Sequence, residues 1–238
     1  MELYFHPEIE KELITLDASE SMHCVKVMRL KPGAMIQVAD GKGTICKAEI
    51  LNDNSRACQL RIISRDFHED SLGYFLEIAI APTKNMDRLE WFVEKATEIG
   101  ISRISPIICE RSERRHIRTD RLEKIALSAM KQSVKSWLPE ISEPVSFSDW
   151  MKQPREGNRL IAHCFDSLKT EITQLKIEDS VCLLIGPEGD FSPEEVEIAR
   201  SNGYKEISLG DFRLRTETAG LMAVTAVHLM KRMAFQGK

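Results

Sequence analysis

The sequence predicts an α/β protein with a mainly parallel sheet, preceded by a small β-rich unit. Beyond residue 73, short apolar segments alternate with amphipathic segments of helical period, which is typical of parallel strands joined by helices. Before that point, short strand-like runs are separated by turn residues. With 238 residues, 42% hydrophobic and 29% charged, the chain is long and apolar enough to bury a substantial core.

The N-terminal part is predicted to contain one helix and three strands. Asp17 or Ser19 is suited to cap a helix over Glu20–Arg29, and Pro32 with Gly33 ends it. The strands predicted after the helix, the first two joined by hairpin-turn chemistry, are Met35–Ala39, Ile45–Leu51 and Ala57–Ile63. We therefore expect a small barrel. The polar stretch Ser64–Gly73 is predicted to be a linker, which gives two domains, residues 1–70 and residues 71–238.

The C-terminal part alternates strands and helices. The predicted strands are Phe75–Ala81, Arg103–Ile108, Leu160–Cys164, Val181–Ile185 and Lys205–Leu209. A first helix runs from Met86 to Gly100, and a second begins near Thr119. Ser192, Pro193 and Glu195 form a capping-box start for a third, and Glu217–Met233 is a long apolar fourth helix.

Several protein classes are excluded by composition and spacing. The formal charge of −4 argues against a strongly basic nucleic-acid binder, although local basic patches remain possible. No apolar stretch approaches 18 residues and the N-terminus lacks signal-peptide character, so we expect a cytoplasmic protein without a membrane partner. The six cysteines lie at least 12 residues apart, which favours buried thiols and, without paired histidines, gives no support for a metal site.

Two glycine-bearing turns follow apolar strands and are the most informative features of the chain. The first is Leu184–Ser192, with Gly186 and Gly189, and the second is Leu209–Ala219, with Gly210. Glycines after a buried strand let a ligand approach the backbone closely. Neither turn has phosphate-loop or dinucleotide spacing, which leaves adenosine-type binding through backbone contacts as the consistent chemistry. The alternative is that both are ordinary strand-to-helix turns.

A third feature is a local concentration of positive charge. Residues 111–135 contain eight basic residues against three acidic ones, an excess of five in a chain of net −4. Arg111, Arg114, Arg115 and Arg118 crowd its first part, which favours contact with a phosphate backbone. A solvated helix face with its loop is the alternative explanation.

Five short motifs are spread over nearly the whole chain. They are His23 with Lys26-Val27-Met28-Arg29; Arg88-Leu89-Glu90-Trp91 with Glu94-Lys95-Ala96-Thr97-Glu98-Ile99-Gly100; Gln132-Ser133 with Leu138-Pro139; Ile185-Gly186-Pro187-Glu188-Gly189; and Leu209-Gly210 with Leu214-Arg215-Thr216-Glu217-Thr218-Ala219. In these motifs the chain resembles the ribosomal RNA small subunit methyltransferase E family, of the SPOUT superfamily of knotted methyltransferases.

The resemblance implies a PUA-like N-terminal barrel that binds RNA, and a SPOUT-type parallel sheet with a deep C-terminal trefoil knot. It implies a homodimer that transfers a methyl group from S-adenosyl-L-methionine to N3 of a uridine in 16S ribosomal RNA, acting on the assembled 30S subunit without a metal. A non-catalytic RNA-binding or ribosome-assembly factor, or a SPOUT methyltransferase with another RNA target, are the alternatives.

The resemblance also implies roles for individual residues. The expected cofactor-binding residues are Leu184, Gly186, Glu188, Gly189, Leu209, Gly210, Leu214, Arg215, Thr216 and Thr218. Arg215 is expected to stabilise negative charge on the uracil, and Glu217 to accept a proton or to hold Arg215. The expected RNA-binding residues are His23, Lys26, Arg29, Arg111, Arg114, Arg115 and Arg118.

Two positions depart from the family's pattern. Asp190 stands where the family commonly has a second glycine after Gly189. Phe212-Arg213 stands where the family commonly has Arg-Ile or Arg-Val, so the arginine is displaced by one position. The family's usual early arginine is also not evident in Met1–His6.

Overall fold

The computed structural model of the chain describes residues 2–69 and 72–236, without the side chains of the last two. It contains two compact units: one holds the described residues before Leu72 together with Leu127–Leu138, and the other holds the rest. The domain boundary predicted between residues 70 and 71 lies outside the described residues.

The first unit is built on a five-stranded sheet with strand order β1-β3-β4-β5-β2. Its strands are β1 (Leu3–Phe5), β2 (Leu13–Thr15), β3 (Met35–Ala39), β4 (Thr44–Asn52) and β5 (Gln59–Phe67). β1 pairs in parallel with β3, and the other pairs are antiparallel. β5 continues to Phe67, so the linker predicted over Ser64–Gly73 begins too early. The polar residues beyond Ile63 still pair with β4 through their backbone.

The predicted N-terminal helix is shorter and less regular than its pattern indicates. α1 (Ala18–Met22) begins at Asp17, whose side chain accepts a hydrogen bond from Glu20 N at 2.8 Å. A π-helical turn follows over His23–Val27, and Arg29 has φ +55°. Non-glycine residues avoid this left-handed region, and π-helical turns are frequent at functional sites, so the segment is locally strained.

The second unit contains an eight-stranded parallel sheet with order β11-β13-β10-β12-β6-β7-β8, and β9 also pairs with β7. Its strands are β6 (Phe75–Ile80), β7 (Arg103–Ile108), β8 (Glu140–Ile141), β9 (Val145–Ser146), β10 (Asn158–Ala162), β11 (Thr170–Glu171), β12 (Ser180–Ile185) and β13 (Lys205–Ser208). The predicted α/β architecture with a parallel sheet is therefore confirmed.

Helices cover both faces of this sheet. They are α2 (Met86–Ile99), α3 (Thr119–Gln132), α4 (Phe147–Met151), α5 (Pro193–Ser201) and α6 (Thr216–Gln236), with α3 passing into the first unit at Leu127. Ala79 of β6 faces the cluster that contains α4 and α5 residues. Its neighbour Ile80 faces α6, where a Cβ on Gly220 would lie 3.1 Å from Ile80 Cδ1 and 2.8 Å from Phe92 of α2. Glycine thus allows the close packing of α6.

The helix-capping signals that the sequence predicts for α5 are present in the structure. The capping box at Ser192 and Glu195 is formed in both directions, with Pro193 as the first helical residue of α5.

All six cysteines are free, and Cys164 is the one that is exposed. The expectation of buried thiols therefore holds for the other five.

Candidate active site

A cavity of about 660 Å³ lies at the carboxyl ends of β10, β12 and β13. Parallel strands bring their following loops to one edge of the sheet, and ligands bind there in open α/β folds. A volume of this size accommodates a small-molecule ligand. The lining residues are Ala162, His163, Cys164, Lys169, Ile185, Gly186, Pro187, Glu188, Asp190, Ile207, Ser208, Leu209, Gly210, Asp211, Phe212, Arg213, Leu214, Arg215, Thr216 and Ala219.

The two glycine-bearing turns meet in this cavity. Thr216, the first residue of α6, donates a hydrogen bond from Oγ1 to Gly186 O at 3.0 Å. A Cβ on Gly186 would lie 3.0 Å from Phe191 Cδ2 and 3.1 Å from Phe191 N, so a side chain there would have to displace a buried ring. Gly186 is therefore required by close packing beneath the cavity.

Asp190, which replaces the family's second glycine, links two of the loops. Its φ is +64°, in the left-handed region that glycine adopts most readily and aspartate tolerates. Oδ1 accepts from Phe191 N at 2.9 Å, and Oδ2 accepts from Cys164 N at 2.8 Å. The side chain thus ties the loop after β12 to the loop after β10, which a glycine does not do.

The basic segment after β7 supports the same loop from outside the cavity. Arg111 Nη1 donates to Gly189 O at 3.1 Å and to Phe191 O at 3.2 Å. Lys84 N donates to Glu188 Oε1 at 2.9 Å, and Lys84 O accepts from both Nε and Nη2 of Arg114. These contacts fix the loop over residues 186–191.

A buried histidine, His163, is part of the cavity wall. His163 Nε2 is 2.9 Å from Glu206 Oε2, and Glu206 also accepts from Arg200 Nε and Ser167 Oγ at 2.8 Å each. These hydrogen bonds, of which that from Arg200 has the largest effect, lower the pKa of Glu206 to about 2, although desolvation by itself would raise it. Burial lowers the pKa of His163 despite that carboxylate. His163 is therefore neutral at pH 7, with its proton on Nε2.

The loop over residues 209–215 supplies the exposed groups of the cavity. Phe212 is 85% exposed, and Arg213 and Arg215, which follow it in the sequence, are also exposed. Across the described chain, neither guanidinium group has a hydrogen bond or ion pair. Gly210 has φ +117°, and a Cβ there would meet nothing within 4 Å. The cavity is therefore bounded here by two uncompensated cations and an aromatic ring.

Glu217 is buried but lies outside the cavity lining. Its Oε1 is 3.8 Å from Arg88 Nε, and its Oε2 has no hydrogen-bond partner among the described residues. The guanidinium group beside Glu217 is thus that of Arg88, at the start of α2. The predicted contact of Glu217 with Arg215 is absent from the described interactions.

Comparison with known proteins identifies the family. The model of an RNA methyltransferase domain matches residues 71–228, and that of an RNA methyltransferase PUA domain matches residues 16–63. Ribosomal RNA small subunit methyltransferase E of Rickettsia conorii is 30% identical over 228 residues, covering 93% of this chain and 91% of the relative. This chain belongs to the ribosomal RNA small subunit methyltransferase E family. The enzyme class expected from the sequence, a ribosomal RNA methyltransferase, and the PUA-like character of the N-terminal unit are confirmed.

Solved structures agree with this family assignment. A probable ribosomal RNA methyltransferase from Porphyromonas gingivalis has a TM-score of 0.92 at 36% identity, covering 98% of this chain and 100% of its own. The family member from Neisseria gonorrhoeae, solved with bound S-adenosyl methionine, has the same fold, with a TM-score of 0.85 at 23% identity and coverage of 95% and 96%.

The residues expected to bind cofactor in this family fall into two groups. Those that line the cavity are Gly186, Glu188, Leu209, Gly210, Leu214, Arg215 and Thr216. Leu184, Gly189 and Thr218 do not line it. Leu184 packs in the core on the sheet face that carries α4 and α5, and Gly189 lies against Arg111 instead.

The expected RNA-binding arginines of the second unit all have internal partners. Beyond Arg111 and Arg114, Arg115 Nη2 donates to Glu110 O at 3.3 Å, and Arg118 forms a two-point ion pair with Asp120 at 2.8 and 3.2 Å. In the first unit, the π-helical turn exposes Lys26 and the next residues up to Arg29, while His23 Nε2 is 2.7 Å from Glu2 Oε1.

Sequence reasoning missed several residues of the cavity wall. His163, Cys164 and Lys169 follow β10, and only the strand order, which places β10 between β12 and β13, brings them to the cavity. Within the described ranges, no group of three metal-ligating side chains occurs. None of the described helices combines the length and apolar character needed to span a membrane.

Proposed function

We propose that this chain transfers a methyl group from S-adenosyl-L-methionine to N3 of a uridine in small-subunit ribosomal RNA. The observation that carries the proposal is the cavity at the sheet edge, in which both glycine-bearing turns of a small subunit methyltransferase E meet an uncompensated arginine, Arg215. We further propose that it acts on the assembled 30S subunit in the cytoplasm, with residues 1–70 as the RNA-binding domain and residues 71–238 as the methyltransferase domain.

The cavity suits S-adenosyl-L-methionine in size and in chemistry. At about 660 Å³ it is large enough for a nucleoside with an amino-acid tail. Gly186 and Gly210 present bare backbone, where a flat adenine approaches closely, and the sequence provides no phosphate cradle. Glu188, Leu209, Leu214 and Thr216 complete the residues that would hold it. When bound, the cofactor supplies a methyl group made electrophilic by the sulfonium.

Arg215 is the residue that we propose stabilises the reacting base. Transfer of the N3 proton to solvent water makes the uracil nitrogen nucleophilic and leaves negative charge on the two flanking carbonyl oxygens. Arg215 lines the cavity and has no partner in the described chain, so its positive charge is available to that base. Correct positioning of the two reactants supplies much of the remaining rate enhancement.

Glu217 is assigned a positioning role in this proposal. Its carboxylate lies in the first turn of α6, where the helix dipole favours negative charge, and is 3.8 Å from Arg88. We therefore propose that Glu217 orients Arg88. A direct proton-accepting role is disfavoured because Glu217 lies outside the cavity lining.

Homodimer formation is supported by an exposed apolar stripe on α6. Met222, Leu229 and Met233 are 46%, 53% and 72% exposed at helical spacing, and Trp91 on the adjacent α2 is 41% exposed. An apolar stripe of this kind favours burial against a partner. We propose that a second copy of this chain covers it.

The proposal includes the deep trefoil knot implied by the family. It is supported by the start of α6 at Thr216, which is hydrogen-bonded to the loop after β12. Mechanical unfolding from the two chain ends tests it, because a tightened knot shortens the final contour length relative to an unknotted 238-residue chain.

The function is tested with labelled S-adenosyl-L-methionine and small ribosomal subunits that lack the modification. We expect label on a uridine base, located at N3 by mass spectrometry, and a fall of at least about 100-fold in turnover for Arg215→Ala, as for loss of one charge-stabilising donor. Label on another nucleotide would identify another RNA target. Binding of subunits without cofactor binding would identify a non-catalytic assembly factor.

A further inference from the structure

The cavity carries one aromatic side chain that its packing does not explain. Phe212 is 85% exposed in the loop over residues 209–215, and its ring appears in none of the aromatic or cation–π contacts of the described residues. The other ring in the lining, His163, has a fully buried side chain. Phe212 is therefore the only solvent-facing ring among the described residues of this lining.

The cations around Phe212 differ from those of the basic segment after β7. Arg111, Arg114 and Arg115 donate to backbone carbonyls, and Arg118 is paired with Asp120. Arg213 and Arg215, by contrast, have no such partner in the described part of the chain. An exposed ring that lines one cavity with two such cations matches an unpaired nucleotide, which offers a π face and a phosphate.

The proposed reaction requires an unpaired nucleotide. N3 lies on the Watson–Crick edge of uracil, so base pairing within a helix hides the reacting atom, and a paired base has to leave the helix. An extruded pyrimidine loses its stacking neighbours, and a protein aromatic ring replaces them in single-strand recognition.

We propose that Phe212 is the stacking platform for the extruded uracil, with Arg213 on the phosphate of the same nucleotide. This inference rests on the proposed function and adds a substrate-contacting residue to it.

The test compares Phe212→Leu with Phe212→Trp on unmodified small subunits. Leucine keeps an apolar side chain and removes the π face, so we expect kcat/KM for the subunits to fall roughly 5- to 100-fold, as for loss of one base–aromatic contact. Tryptophan keeps a π face at this position, so its kcat/KM is expected to stay close to that of wild type. Ile198→Ala, which shortens an exposed apolar side chain on α5 outside the cavity lining, serves as the matched control and leaves kcat/KM unchanged.

Two further measurements separate this inference from the proposed function. Calorimetry with S-adenosyl-L-methionine alone should give the same affinity for all three variants. A loss of that affinity in Phe212→Leu would mean that the ring covers the cofactor, and would overturn the inference. Full activity of Phe212→Leu on subunits that wild type methylates would also overturn it, whereas failure of wild type to methylate them would reject the proposed function itself.

Discussion

Replacing Asp190 by glycine restores the residue common in the family and tests what this chain gains from the aspartate. The substitution removes two hydrogen bonds, from Phe191 N and Cys164 N to the carboxylate. Bonds to a charged acceptor contribute about 1.5–3 kcal/mol each, and we take about 1 kcal/mol each because Asp190 is partly exposed.

The backbone terms of this substitution nearly cancel. Glycine relieves the left-handed φ of +64°, a gain of about 1 kcal/mol or less because aspartate tolerates that region. Glycine also adds unfolded-state entropy, a loss of about 0.5–1 kcal/mol. The two lost hydrogen bonds therefore decide the sign, and the folded state is expected to lose about 2 kcal/mol, or about 4–8 °C in Tm.

Thermal unfolding and calorimetry measure the two consequences of Asp190→Gly. Because the loops after β10 and β12 are no longer tied, S-adenosyl-L-methionine should bind about tenfold more weakly, each 1.4 kcal/mol being tenfold. Asp190→Asn keeps one acceptor oxygen and should lose about half as much, while Asp166→Gly, on an exposed loop position, controls for glycine itself. A higher Tm for Asp190→Gly with unchanged affinity would refute this reasoning, since it would mean that strain outweighs the cross-link.

Three further predictions concern other parts of the molecule. Arg111→Ala should weaken S-adenosyl-L-methionine binding about three- to tenfold in calorimetry by releasing Gly189 O and Phe191 O, whereas Arg115→Ala should not; equal effects would contradict a specific brace. Leu229→Glu should convert the proposed dimer to a monomer in light scattering, and a dimer that persists would place the interface elsewhere. Burial lowers the pKa of His163, so the unfolded state binds more protons and urea-measured stability should fall below about pH 6.5; His163→Gln should remove that slope.

The elements that the sequence predicted well are those with local signals. The capping box fixes the start of α5, and the apolar period of α6 reflects its packing on α2 and the sheet. β1 and β2 were missed because each is only three residues long and is held by strands far along the chain. The place of Leu127–Leu138 in the first unit was missed for the same reason, namely contacts between residues far apart in sequence. Leu127, Met130 and Leu138 pack with Leu3 and Ala39.

The candidate site was predicted in its backbone and less well in its side chains. Both glycine-bearing turns meet in one cavity, as expected for loops at the carboxyl edge of a parallel sheet. Asp190 was noted as a departure, but its bond to Cys164 N depends on β10 and β12 being neighbours. The charge excess from which Arg111 was predicted to contact RNA does not show that its guanidinium group also donates to Gly189 O and Phe191 O, and the RNA contact itself stays a prediction.

The arginines near the cavity fall into two groups: those whose side chains donate to backbone carbonyl oxygens, and those without a hydrogen-bond partner in the described chain. A hydrogen bond to a carbonyl oxygen leaves the charge of Arg111, Arg114 and Arg115 in place, so these residues still attract RNA over a Debye length of about 8 Å at physiological salt. Part of their donor set is already used, however, and a phosphate that captured Nη1 of Arg111 would release the carbonyl oxygens of Gly189 and Phe191. Arg213 and Arg215 can bind RNA without that cost. We therefore propose that the dense basic segment supplies long-range attraction and that Arg213 and Arg215 bind the RNA directly.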